Sequence, residues 1–92
     1  MKFVILGWDG PDGQKLRPIH RPEHLERLQG LVTQDRLICA GPFGDHTGSL
    51  IIIEADSLQD AESFAREDPY VRHGIFERFE VHPFTQVLPR PS

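Results

Sequence analysis

The order in which strand-like and helix-like segments alternate constrains this chain more than any other feature. "KFVILGW" (Lys2–Trp8) is dense in β-branched and aromatic residues and reads as a strand. "DGPDGQKLRPIH" follows, rich in Asp, Gly and Pro, and reads as a loop. "RPEHLERLQGLVTQ" (Arg21–Gln34) predicts a helix. Pro22 suits its first helical position and Glu23 its first turn, and Leu25, Leu28, Leu31 and Val32 form one stripe. "RLICAGPF" (Arg36–Phe43) and "SLIIIEA" (Ser49–Ala55) predict strands joined by the turn "GDHTG". "SLQDAESFARE" (Ser57–Glu67) predicts a second helix, with Ser57 as N-cap and Leu58, Ala61, Phe64 and Ala65 on one face. In "IFERFEVHPFTQVL" (Ile75–Leu88), Phe79 and Val81 alternate with Arg78, Glu80 and His82, as in a half-buried strand. The tail "PRPS" reads as a frayed end, and residues 1–92 read as one domain without repeat or linker.

The resulting βαββαβ order, with right-handed crossovers, predicts an α+β, ferredoxin-like sandwich. Its antiparallel sheet runs in the order 4-1-3-2, with both helices on one face. In that topology the start of helix 1, the finish of helix 2, the loop after strand 1 and the strand 2–strand 3 turn share one end of the sheet. Arg17, His24, "GPFGDHTGS", Asp68 and Tyr70 are therefore expected at one rim. The runs "FVIL" and "LIII" are apolar at consecutive positions, so both faces of these strands carry apolar side chains. The face without helices needs a cover, most simply a second copy in a two-fold dimer, with either Ile51 or Ile52 facing it.

Composition narrows the partners. A chain of 92 residues builds a thin core of its own. The net charge of −4 supplies no basic footprint for nucleic acid. The single cysteine, Cys39, excludes an internal disulfide, suits a reducing compartment, and reads as a small core residue inside "LICAGP". The apolar start "MKFVILGWDG" is too short to span a membrane and lacks a signal-peptide cleavage pattern, so a cytoplasmic protein with no membrane partner is expected.

His24 is the candidate base. In the first turn of a helix, the dipole would favour its neutral form. Asp68 sits where the second helix must end. It can N-cap a further turn, "PYVRH", with Pro69 at the first position, or it can orient a histidine; one oxygen can serve each purpose. Arg17 and Arg21, ahead of the helix, suit an anion, and Ser49 could donate to a ligand. Each also has a plain reading as surface charge or turn. "GPDG" and "GPFGDHTG" lack phosphate-loop spacing. His20, His46, His73 and His82 show no clean metal spacing, and no metal ligand is assigned.

Several of these pieces occur together in a recognisable order. "R-x-x-x-R-P-x-H-L" (Arg17–Leu25), "AGPF" (Ala40–Phe43), Gly48–Ser49, "DPY" (Asp68–Tyr70) and "VHPF" (Val81–Phe84) resemble the YCII-related family of small bacterial proteins. The resemblance implies a dimeric α+β barrel and a His–Asp active pair falling on His24 and Asp68. Relatives in that family include a dehydrochlorinase of a chlorinated hydroxyquinol. The strand 2–strand 3 turn is short here, where some members carry a longer insertion. The expectation is then a small homodimeric enzyme, working without a cofactor, that eliminates or isomerises a small anionic or aromatic metabolite. His24 and Asp68 would be catalytic, and Arg17, Ser49, Gly41, Pro42, Phe43 and Tyr70 would contact substrate. A non-catalytic ligand-binding dimer and an accessory subunit are the alternatives.

Overall fold

The computed structural model describes residues 1–91. Strands β1 (Lys2–Asp9), β2 (Leu37–Pro42), β3 (Gly48–Glu54) and β4 (Phe76–Phe84) alternate with helices α1 (Gly13–Thr33), α2 (Leu58–Arg66) and the single turn α3 (Pro69–Arg72). The sheet order is β2-β3-β1-β4, the expected 4-1-3-2 read from the other edge, and every pairing is antiparallel. The fold is the ferredoxin-like α+β sandwich.

Strand alternation sorts the side chains between two faces. Phe3 and Ile5 of β1 and Ile51 and Ile53 of β3 point toward the helices. They pack there with Leu28 and Leu31 of α1 and Ala61 and Ala65 of α2, while Phe79 and Val81 extend the core along β4. Ser57 caps α2 by accepting the Asp60 N–H at 3.1 Å. The opposite face has no helix over it. The cross-strand pairs Val4–Ile52 and Leu6–Leu50 form a half-buried apolar stripe there. His82, Glu80 and Arg78 lie beside that stripe on β4, opposite Val4, Leu6 and Trp8. Ile51 is therefore the core residue and Ile52 the open-face residue.

Three expectations need correction. Cys39 is exposed, not part of the core. β2 is an edge strand exposed at nearly every position, and a register shift between Leu37 and Cys39 places Cys39 opposite Ile52 on the open face. The last strand stops at Phe84, because its partner β1 begins at Lys2, directly opposite. "TQVL" is not part of the ladder, and of the tail "PRPS" Ser92 lies outside the described residues.

The third correction is the largest. α1 starts at Gly13, eight residues before Arg21, and carries Pro18 and Pro22 inside it. A proline within a helix removes one hydrogen bond and costs about 3 kcal/mol or more. Both prolines lie on the solvent side of α1, where water can solvate the carbonyls that they leave without a donor. Of the inward positions of this half only Leu16, packed on Tyr70, Ile75 and Phe76, is aliphatic; Gly13, Arg17 and His24 are not, so no apolar period marks the segment as helical. The expected stripe is also narrower: Leu28 and Leu31 are buried, whereas Leu25 and Val32 are 44% and 49% exposed. Arg17 and Arg21 are thus helical residues and do not precede the helix, and Pro22 and Glu23 are not in its first turn.

Candidate active site

Asp68 ends one helix and begins another. Its backbone is extended, its Oδ1 accepts the Tyr70 N–H at 2.8 Å, and Pro69 occupies the first position of α3. Gly74, at φ +73°, then closes the turn in the left-handed conformation that glycine adopts without strain. The capping geometry fixes Asp68 beneath α1, where its carboxylate is only 3% exposed. His24 reaches it from α1, with Nδ1 at 2.9 Å from Oδ1 and 3.0 Å from Oδ2. A carboxylate only accepts, so Nδ1 carries the proton and donates, which in the neutral ring puts the lone pair on Nε2.

His24 stands in the middle of α1, so the expected help from a helix N-terminus does not apply. Packing and Asp68 hold the ring instead. Tyr70 stacks on the imidazole at 3.9 Å with 5° between planes, and Phe76 meets Tyr70 edge-on at 5.5 Å. Phe76 in turn lies over Gly7, where a Cβ would come within 2.5 Å of its ring. Burial pushes the Tyr70 hydroxyl above the ordinary tyrosine range, although the nearby Arg17 and Arg21 cations oppose the shift.

Two arginines complete the surroundings. Arg17 donates from Nε to Asp9 Oδ2 at 2.8 Å and from Nη2 to Asp9 Oδ1 at 2.7 Å, a bidentate pair. Its Nη2 also donates to Ser49 Oγ at 3.1 Å. The Asp9 hydrogen bond raises the Arg17 pKa, with partial burial opposing it, so this guanidinium stays charged. Arg27 lies on the other side of Asp68, with Nη1 at 3.5 Å from Oδ2. It is anchored by a 3.1 Å bond from Nη2 to the Phe64 carbonyl and by stacking over the Phe64 ring.

These groups border a cleft of about 150 Å³ between α1 and the edge strand β2. Arg17, Arg21, His24, Ser49 and Tyr70 supply its polar wall, Leu25, Leu28 and Ile51 its apolar floor, and Ala40, Gly41 and Pro42 its far side. That volume is comparable to cavities that hold a single benzene ring, roughly 150 Å³. Of the residues expected at the rim, Arg17, His24, Gly41, Pro42, Ser49 and Tyr70 line the cleft, and Asp68 lies behind His24. Phe43 does not line it: its N–H donates to the Gly48 carbonyl and its own carbonyl accepts from His46, closing the β2–β3 turn. Asp9, Arg27 and Phe76 were not anticipated. Asp9 looks like turn material in "WDGPDG", and nothing local ties it to Arg17.

Among the described residues, no helix is long and apolar enough to cross a membrane. Comparison with known proteins agrees with this architecture. Protein YciI of Escherichia coli O6:H1 (strain CFT073) is 39% identical over 98 aligned positions, covering 96% of this chain and all of that one. An uncharacterized protein of Haemophilus influenzae Rd is 35% identical over the same shares of both chains. Among solved structures, 5-chloro-2-hydroxyhydroquinone dehydrochlorinase (TftG) from Burkholderia phenoliruptrix AC1100, in complex with 2,5-dihydroxybenzoquinone, superposes with a TM-score of 0.81 at 29% identity. That superposition covers 92% of this chain and 94% of the dehydrochlorinase. Residues 1–85 match the YCII-related domain, and the chain belongs to that family.

Proposed function

We propose that this protein is a small homodimeric enzyme that eliminates or isomerises a small anionic or aromatic metabolite by proton transfer. The observation that carries the reading is the buried His24–Asp68 pair bordering a ring-sized cleft beside a permanently charged Arg17. His24 takes a proton from the substrate on Nε2. Asp68 keeps the ring in the right tautomer and stabilises the imidazolium that forms. The electron pair left behind moves into the substrate's π system as an anion departs, or returns to a proton at a neighbouring atom in an isomerisation. Arg17, fixed by Asp9, holds an anionic oxygen of the substrate, with Ser49 and the Gly41–Pro42 edge alongside. The similarity to a dehydrochlorinase supports an elimination on a hydroxylated ring.

The partner is a second copy, seated on the open face along Val4, Leu6, Leu50 and Ile52. A cytoplasmic location suits the exposed, unpaired Cys39. Light scattering at micromolar concentration is expected to show a dimer, and Ile52→Lys to dissociate it with the fold retained. A wild-type monomer contradicts that assembly.

The chemistry is tested by chloride release from 5-chloro-2-hydroxyhydroquinone and by binding of 2,5-dihydroxybenzoquinone. Wild type is expected to bind the quinone and release chloride, while His24→Ala binds it and releases none. Binding without turnover in wild type favours the ligand-binding module. Equal turnover in wild type and His24→Ala removes the acid–base role.

A further inference from the structure

A second cluster of chemically capable side chains lies outside the cleft, where α1 meets the end of α3. His20 and Glu23 sit three residues apart on α1, and His73 is the C-cap residue of α3. One ligand atom from each lies within 4.8 Å of the other two. The imidazoles of His20 and His73 are stacked, with centroids 3.8 Å apart and 9° between planes. Glu23 Oε1 also lies 3.7 Å from Nη1 of Arg72, so a loose ion pair already links the two helices at this place.

We propose that His20, Glu23 and His73 form a surface site for a divalent transition-metal ion of the zinc type, which clamps α3 onto α1. Two imidazoles and one carboxylate are the ligand types that zinc takes in three-ligand sites, with water completing the tetrahedron. The nitrogen-rich set favours zinc, nickel or cobalt over magnesium or calcium, which prefer oxygen. The two rings are adjacent, but stacking leaves their in-plane lone pairs without a common focus, so metal binding requires the stack to open and both nitrogens to turn toward one ion. Glu23 then exchanges Arg72 for the metal, a weak exposed contact for a stronger one. His20 and Glu23 are half-buried or exposed and His73 is exposed, so the site is open to ions from solvent.

The location gives the metal a consequence. α3 carries the Asp68 cap and Tyr70, whereas α1 carries His24 and Arg17. A metal bridge between the helices therefore fixes the two elements whose spacing sets the His24–Asp68 bond. The sequence conceals the site, because His73 is remote from His20 in the chain and only the short α3 turn returns it to α1.

The test is zinc titration of the untagged full chain by calorimetry, with melting followed in parallel. The proposal expects one zinc per chain with a micromolar or tighter Kd. At a hundredfold excess over Kd the melting temperature should rise by about 10–20 °C. His73→Ala should weaken binding by about tenfold or more, since one of three protein ligands is gone. Arg72→Ala should tighten it by about twofold to fivefold, because a competing cation leaves Glu23. His20→Ala/His73→Ala leaves His24, His46 and His82 in place, so it measures zinc bound elsewhere. Equal zinc uptake and equal melting shifts in wild type and the double variant overturn the proposal, as does wild-type saturation only above millimolar zinc. Both histidines are on the surface; should either alanine change lower the melting temperature without zinc, His20→Gln/His73→Gln replaces it in the same comparison.

Discussion

The two halves of α1 are built to different rules. The C-terminal half turns Leu28 and Leu31, the buried part of the expected apolar stripe, into the core against Ile51, Ile53 and Ala61. The N-terminal half turns Arg17 and His24 inward, carries two prolines on its outer side, and is held by ion pairs and ring stacking. One half stabilises the fold through burial. The other tolerates broken helical hydrogen bonds and part-buried charge, and it borders the cleft. Locally unfavourable choices of this kind collect where chemistry needs them.

That contrast can be broken from either side. Leu31→Ala acts on the packed half and should cost about 2–5 kcal/mol of stability, because a cavity replaces core contacts. Chemical denaturation measures it, and ligand affinity of the remaining folded protein should not change. Asp9→Asn acts on the other half. It leaves a part-buried Arg17 without its counter-charge, and should cost about 1–3 kcal/mol. Here affinity for an anionic ligand should also fall, because Arg17 is no longer held in place. If Asp9→Asn lowers stability alone, the Asp9–Arg17 pair is only a structural tie.

Pro18→Ala sharpens the comparison with a smaller effect of opposite sign. It restores an N–H donor to the helix on the solvent side, and the unfolded chain gains some freedom against that. A net gain of about 1–2 kcal/mol is expected with catalysis unaltered. Smallest of all is the ionisation of Tyr70, the chain's single tyrosine, which absorbance at 295 nm follows without interference from another phenol. Burial raises its folded pKa, so the folded protein should ionise above the ordinary value of about 10. The sign follows: this stabilisation is complete below the unfolded value and is lost as pH rises through the folded one. Ionisation at the ordinary value in the native protein would mean that the ring is not sequestered.

Where patterns are local, the sequence is legible. The first three strands follow from apolar runs and β4 from its alternation, α2 from its Ser57 cap and apolar face, and the sheet order from handedness. The Asp68 cap follows from Asp-Pro, and topology alone brings His24 near it. The start of α1 is not legible, because Gly13, Arg17 and His24 interrupt any apolar period on its inward side and its prolines signal a loop. Nor is the Asp9–Arg17 pair, whose partners look like turn and surface charge until the helix is extended back to Gly13. The exposure of Cys39 depends on β2 lying at an edge and on a register shift that sets Cys39 opposite Ile52 on the open face, which its apolar neighbours disguise.

The central claim is that Asp68 serves His24 as well as the turn that it caps, and Asp68→Asn separates those two duties. Asparagine caps about as well as aspartate, so stability should fall by no more than about 1–2 kcal/mol. The amide cannot stabilise an imidazolium, and where its NH₂ faces Nδ1 it reverses the tautomer and removes the lone pair from Nε2. Elimination turnover should therefore fall by about two orders of magnitude or more, with ligand affinity nearly unchanged. Melting temperature, affinity and turnover on wild type and Asp68→Asn make the measurement. Near-native stability with turnover lost is the result expected; near-native stability with full turnover would contradict the account and leave Asp68 as a helix cap alone.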